Sequence, residues 1–297
     1  MNKESLKHLK IGSVLENVSL KEYTTYKLNG IARFLVIPDN LDCLKKLINY
    51  LNENKIKYKI IGGGSNLIFK NKIYDGVLIL LKKFDKLEIV DNQIKVGGGY
   101  SLMKLAIKVS KLGLTGLEFA TGIPGTVGGA IFNNAGAYKS DMGYVILEAT
   151  VLTPNLEIKV LKNKNMKFHY RTSFFKENHG YVILEAKMLL KRGKKEEIMN
   201  IISDRKNRRI ESQPLEYPSA GSVFRNPANI PAGKLIEDMG FKGFSIGDAS
   251  VSMKHANFII NKNNASGEDI VNLIEKIKKD VYDKYNIELV LEQEIVL

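Results

Sequence analysis

Residues 121–138 read TGIPGTVGGAIFNNAGAY, and no other stretch restricts the fold of this 297-residue chain so tightly. Gly122, Gly125, Gly128 and Gly129 keep its backbone bare, Pro124 restricts the turn, and Asn133 and Asn134 offer amides to a heterocycle or phosphate. A flexible linker would lack the apolar anchors Ile123, Val127, Ile131 and Phe132. The segment therefore reads as a packed cofactor loop, within an unperiodic stretch from Gly113 to Gly136 that is expected to be the longest loop of the chain. Loops of that length in compact domains tend to be functional.

Around this segment the hydrophobic pattern predicts mixed α and β structure. A strand at 32–38, a helix carrying Leu41, Leu44, Leu47, Ile48 and Leu51, and a strand at 57–61 read as a βαβ crossover running into GGGSN, Gly62 to Asn66. Strands follow at VLILL, KLEIV and QIKVGGG, then a helix from Leu102 to Leu112. The heptapeptide GYVILEA occurs twice, from Gly143 and from Gly180, and reads as two similar strands with TPNLE as a hairpin turn between them. A charged helix from Glu196 to Ile210 precedes QPLEYPSAG, whose Pro, Ser and Gly mark a domain boundary. Beyond it the pattern predicts a short helix at GKLIEDMG, a helix opened by the capping box Ser266 to Asp269, and a final strand IELVLEQEIVL.

Composition excludes several classes. Apolar residues at 44% and charged residues at 26% describe a folded chain. No apolar run approaches the roughly 20 residues a spanning helix needs, and MNKESLKHLKIGSV has no apolar signal core, so a cytoplasmic protein without a membrane partner is expected. The single Cys43 forbids an intrachain disulfide and, on a helical pattern, reads as an inert core residue. A net charge of +13 suggests nucleic acid on charge alone, yet 38 of the 45 basic residues are Lys, scattered along the chain. They read as solvated lysines with some attraction for polyanionic small molecules, and no nucleic-acid partner is expected.

GGGSN suits a diphosphate, since its glycines bring backbone amides close and Ser65 and Asn66 add polar groups, though a structural turn is as good a reading of it alone. AGKLIED carries Leu235 where a P-loop requires Ser or Thr, which disfavours a nucleoside triphosphatase. His8, His169, His179 and His255 show no metal-ligand spacing, so no metal is expected, and His255 reads as a structural group.

Taken together, GGGSNLIF and TGIPGTVGGAIFNNAGAY resemble the FAD-binding region of the UDP-N-acetylenolpyruvoylglucosamine reductases, which share a flavin fold with the vanillyl-alcohol oxidase group. YRTSFF, SAGSVFRNP, AGKLIEDMGFKG and VSMKHANFIIN resemble the same family in the same order, covering nearly the whole chain. The resemblance implies an α+β protein with a vanillyl-alcohol-oxidase-like FAD-binding fold over 1–205, in lobes of about 1–80 and 81–205, and a smaller C-terminal α+β substrate domain over 206–297. It implies non-covalent FAD, NADPH as hydride donor, and reduction of UDP-N-acetylglucosamine enolpyruvate in peptidoglycan precursor synthesis, hence a part in cell shape and division. A monomer acting on small molecules is expected. A flavin oxidase or dehydrogenase of the same fold, acting on a sugar or hydroxy acid, is the alternative.

By the same resemblance FAD falls to Gly62, Gly63, Gly64, Ser65, Asn66, Thr121, Gly122, Ile123, Pro124, Gly125, Gly128, Gly129, Ala130 and Asn134. Arg171 would stabilise charge on the enolpyruvyl carboxylate, Ser222 would donate the proton, and Glu294 would be the third catalytic member, preferred to Glu292 on the same strand face. Tyr170, Arg225, Asn226 and Lys234 would meet the UDP-sugar. With only GFKGFS between the Asp238 helix and the next strand, the chain resembles the shorter type without an extra tyrosine loop. Asn29 stands where a second glycine is commoner in the family; asparagine tolerates left-handed backbone geometry, so the departure touches only the local flavin contact.

Overall fold

Asn40 starts the first long helix, Leu41–Glu53, its side chain accepting from Cys43 N at 3.0 Å in the computed structural model, which describes residues 3–297. Leu44, Leu47, Ile48 and Leu51 recur at helical spacing and pack against Phe34, Val36, Val77 and Ile79. Each such side chain withdrawn from water contributes about 1.5–3 kcal/mol. Cys43 is only half-buried, at the rim of this core rather than inside it. The accompanying sheet has the order Gly12–Ser19, Ile31–Pro38, Ile73–Leu80, Tyr58–Ile61. The strands flanking the helix are therefore not neighbours: Ile73–Leu80 lies between them and pairs in parallel with Tyr58–Ile61. It begins ahead of the VLILL run because its first residues alternate exposed and buried.

The chain forms two compact units. One takes the segments up to Glu16, Phe34–Gly63 and Gly76–Asn207. Its second sheet is antiparallel throughout, in the order Ile158–Lys162, Ile146–Leu152, Val182–Leu189, Gln93–Gly97, Leu87–Val90. The two GYVILEA copies lie on adjacent strands with Ala149 opposite Ala186. They nevertheless start differently: the second is extended from Val182, whereas Gly143 and Tyr144 of the first form a 3-10 turn. Side chains impose this, since Gly143 N donates to Asp141 Oδ1 and Asn134 Oδ1, both at 3.0 Å. The TPNLE turn closes with Thr153 N donating to Glu157 O at 2.8 Å.

Helix Leu102–Lys111 covers this sheet through Leu102, Leu105 and Val109. The stretch 113–136, expected as a loop, is largely structured: a 3-10 turn spans Glu118–Gly122 and an α-helix Val127–Asn133. Val127, Ala130 and Ile131 bury one helical face, a period that the interspersed glycines disguise in the sequence.

The other unit takes Asn17–Arg33, Gly64–Asp75 and Arg208–Leu297. Ser266 Oγ accepts from Asp269 N at 3.1 Å while Ser266 N donates to Asp269 Oδ2 at 2.9 Å, so the expected capping box opens helix Gly267–Tyr285. Ser245–Ile246, Ala249–Val251 and Ile259–Asn261 form a small antiparallel sheet. The final strand is shorter than expected: only Glu294–Val296 is regular, paired in parallel with Leu67–Phe69. A bend at Gln293 separates it from Glu292, so the same-face argument for Glu292 and Glu294 does not hold. Just ahead of LNG, Lys27 takes left-handed geometry at φ 52°. Among the described residues no helix is long and apolar enough to cross a membrane.

Candidate active site

In the first unit two glycine-bearing turns meet. A Cβ on Gly63 would lie 2.7 Å from Gly125 Cα, and one on Gly62 would lie 2.5 Å from Thr126 Oγ1. The turns after Tyr58–Ile61 and before Val127–Asn133 thus touch backbone to backbone, leaving a stretch of main chain without side chains. Thr126 caps the helix by accepting from Gly129 N at 3.3 Å, and Thr121 Oγ1 donates to Glu118 O at 2.9 Å.

The glycines differ in what requires them. Gly128 packs on the protein itself, since its Cβ would come 3.0 Å from Gly98 O, whereas a Cβ on Gly129 would meet nothing nearer than Thr126 Oγ1 at 3.5 Å. Gly128 is expected at the cofactor, and the Gly98 backbone by itself already requires its bareness. Asn134, also expected at the cofactor, is buried, accepts from Gly143 N at 3.0 Å and donates to His169 O at 2.8 Å. Its amide is engaged in holding backbone.

Arg171 and Tyr170 lie in this same unit, at the corner of a turn closed by reciprocal His169 and Thr172 hydrogen bonds of 3.1 and 3.2 Å. Arg171 has φ 55°, donates from Nη2 to Gly136 O at 2.7 Å, and places its guanidinium 5.2 Å from the Tyr170 ring centre.

In the second unit, Ser222 follows Gly221, whose φ of 76° needs glycine and whose Cβ direction is open for 4 Å. The next residues are fixed from two sides. Asn257 accepts from Phe224 N at 2.9 Å and donates to Phe224 O at 2.8 Å, while Val223 O accepts from Glu292 N at 2.8 Å and Arg225 N donates to Val290 O at 2.9 Å. Gln293 Nε2 donates to Ala220 O and Gly221 O, both at 3.1 Å. Glu294 N donates to Asn66 O at 2.9 Å, and Asn66 Nδ2 donates to Glu292 O at 3.2 Å. Ser222, Arg225, Glu294, Ser65 and Asn66 therefore belong to one unit, built on the C-terminal segment. Gly64 there has φ 61°, and a Cβ at that position would also strike Tyr23 O, so the site requires glycine on both counts.

The remaining expected substrate residues behave differently from one another. Arg225 Nε is buried with no hydrogen-bond partner among the described residues, a cationic donor left open to an acceptor. Asn226 Oδ1 accepts from Ala232 N at 3.1 Å and serves the short helix Ala232–Asp238. Lys234 is exposed and ion-paired to Asp238 one turn on, which raises its pKa. His255 Nδ1 accepts from Asn257 N at 3.2 Å, and burial lowers its pKa, in keeping with a structural histidine that stays neutral. Gln293 and Asn257 escaped the sequence reading.

Residues 32–162 match an FAD-binding domain and residues 213–296 match the C-terminal domain of UDP-N-acetylenolpyruvoylglucosamine reductase. The bare paired turns in the first unit fit the diphosphate of such a cofactor, and the chain is a flavin-binding enzyme of two α+β parts. Over 295 residues it is 43% identical to the UDP-N-acetylenolpyruvoylglucosamine reductase of Anoxybacillus flavithermus, covering 99% of this chain and 98% of that one. The Bacillus subtilis reductase is 42% identical over 294 residues, 99% and 97% of the two chains. The crystal structure of the Thermus caldophilus reductase superposes with a TM-score of 0.81 at 30% identity, covering 96% of this chain and 98% of that one. The chain belongs to the UDP-N-acetylenolpyruvoylglucosamine reductase family.

Proposed function

We propose that this enzyme reduces the enolpyruvyl ether of UDP-N-acetylglucosamine to the lactyl ether with NADPH, in peptidoglycan precursor synthesis. The observation that carries the substrate assignment is the orphan Arg225 Nε, a buried cationic donor awaiting an anion in the same unit as Ser222 and Glu294. The family relationship over almost the full chain supplies the reaction. An oxidase of a sugar or hydroxy acid would leave the 213–296 domain without a use. We place the enzyme in the cytoplasm as a monomer acting on small molecules alone, and through its product in cell shape and division.

When bound, FAD would take hydride from NADPH and pass it to the terminal alkene carbon. The chain's own residues then have two tasks. Negative charge spreads from the ether-bearing carbon into its carboxylate, and the Arg171 guanidinium, held by Gly136 O, is a permanent planar donor for that group. Removal of one such preorganised stabiliser costs on the order of 100-fold to 1000-fold. Ser222 delivers its hydroxyl proton to the ether-bearing carbon, and a proton from solvent by way of Glu294 restores it. Lys234 takes part only if it leaves Asp238, and Asn226 acts through the helix whose first amide, Ala232 N, donates to it.

The test is anaerobic: enzyme reduced with NADPH is mixed with the enolpyruvyl UDP-sugar and the flavin absorbance followed. Rapid return of the oxidised spectrum is expected. Return no faster than in buffer would remove the reading.

A further inference from the structure

The hairpin Gly136–Asp141 is built against its own sequence. Ala137 pairs with Ser140 and Gly136 with Asp141, leaving Tyr138 and Lys139 as a two-residue turn. Their φ angles are 55° and 60°, the left-handed pair that such a turn demands and that Asn-Gly or Gly-Gly normally supplies. Side chains with a Cβ are strained there, and strain of this kind persists where the surroundings over-determine the backbone.

Arg205, on helix Lys195–Ser212, provides that determination. Its carbonyl accepts from the Tyr138 hydroxyl at 3.1 Å, and its guanidinium lies 4.7 Å over the Tyr138 ring. One residue thus grips both the polar tip and the face of the turn tyrosine. At the base of the hairpin, Gly136 O accepts from Arg171 Nη2, and a Cβ on Gly136 would come 2.4 Å from Ser140 O. The turn bearing Arg171 is itself tied down by Asn134 at His169 O. Gly136 O therefore joins the left-handed Arg171 to the base of the hairpin whose turn is the left-handed pair Tyr138 and Lys139.

We propose that Arg205 is a positioning residue for Arg171, acting through the Gly136–Asp141 hairpin: it pins the tip, the hairpin sets Gly136 O, and that carbonyl aims the guanidinium. The inference rests on the reading of Arg171 as the partner of the substrate carboxylate.

Arg205→Ala keeps the carbonyl that Tyr138 bonds and removes the cation over the ring, whereas Arg205→Lys returns a cation. In the flavin-loaded enzyme, Arg205→Ala should slow reoxidation by the enolpyruvyl UDP-sugar about tenfold. Calorimetry should show that sugar bound more weakly, with reduction by NADPH and the thermal midpoint unchanged. Arg205→Lys should recover much of the loss. In an Arg171→Ala background Arg205→Ala should add nothing further, since its effect passes through the missing group.

Slow reoxidation in Arg171→Ala with a normal rate in Arg205→Ala would overturn the inference. So would an undiminished Arg205 effect in the Arg171→Ala background, or both half-reactions falling together with the thermal midpoint. Normal reoxidation in Arg171→Ala alone would instead overturn the role given to Arg171.

Discussion

The Tyr26 hydroxyl donates to Gln293 Oε1 at 2.9 Å, joining residues 267 positions apart in the chain. Gln293 in turn donates to the carbonyls of Ala220 and Gly221, so a buried tyrosine fixes the backbone leading into Ser222. Asn257 holds the same segment from the following residue onward. The proposed proton donor is thus set by side-chain amides bonded to backbone, an arrangement that requires each amide to stay buried and fully paired.

Tyr26→Phe should destabilise the protein by about 1–3 kcal/mol, because Gln293 Oε1 is left buried and unpaired. The cost should depend on pH. Burial raises the Tyr26 pKa, so the folded state retains a proton that the unfolded chain, titrating near the ordinary value of 10.0, gives up. That contribution is complete below pH 10 and declines above it by about 1.4 kcal/mol per pH unit. Urea midpoints for wild type and Tyr26→Phe should converge between pH 9 and pH 11. A gap that stays constant over this range would show that Tyr26 does not hold its proton as described. Tyr74, raised by burial to about 12, contributes the same decline in both proteins and cancels in the comparison.

Gly128 and Gly129 should separate packing from cofactor contact. Gly128→Val drives a side chain onto Gly98 O, so it should lose flavin together with about 1–3 kcal/mol of stability in the flavin-free protein. Gly129→Ala meets only an ordinary contact within the protein. If that position faces FAD, flavin content should fall while the flavin-free thermal midpoint stays in place. Full flavin occupancy in Gly129→Ala would remove it from the cofactor surface.

Acid precipitation should release the flavin into the supernatant. Neither Cys43 nor any of the four histidines falls within 62–66 or 121–134, and the Cys43 thiol points to Lys10 O at 3.8 Å. Colour retained in the pellet would mean a covalent link elsewhere in the chain.

Where the sequence was legible, one local rule dominated. The Leu44–Leu51 spacing, the Ser266 capping box and the two GYVILEA strands each needed no distant partner to be recognised. Where several contacts compete, the reading failed. Helix Val127–Asn133 is hidden because glycine lowers helical propensity, yet Thr126 and Asn134 cap it and the sheet receives its apolar face. The last strand is cut at Glu294 because Gln293 turns inward to Tyr26 rather than continuing the alternation. At Gly63 and Gly128 the demand for glycine comes from neighbouring backbone, and at Gly62 from the Thr126 side chain, which only the tertiary fold reveals. Arg171 and Ser222 are proposed through motif likeness, while Gln293 and Asn257 are recognisable only by what they hold.

Ser222→Ala isolates proton delivery from binding, because a donor to carbon acts only after hydride has reached the alkene. The substitution removes one hydroxyl and leaves the backbone bonds of residues 220–225 to Gln293, Asn257, Val290 and Glu292 unchanged. Reduction by NADPH and substrate affinity should therefore match wild type. Reoxidation by the enolpyruvyl UDP-sugar should slow by at least roughly 100-fold, as the charge built up beside the carboxylate finds no acid on the correct face. Stopped-flow absorbance follows the two halves separately. A near wild-type reoxidation rate would return Ser222 to a turn residue after Gly221 and make Glu294 or water the donor. Equal slowing of both halves would trace the loss to the fold, since nothing in the role given to Ser222 touches the NADPH step.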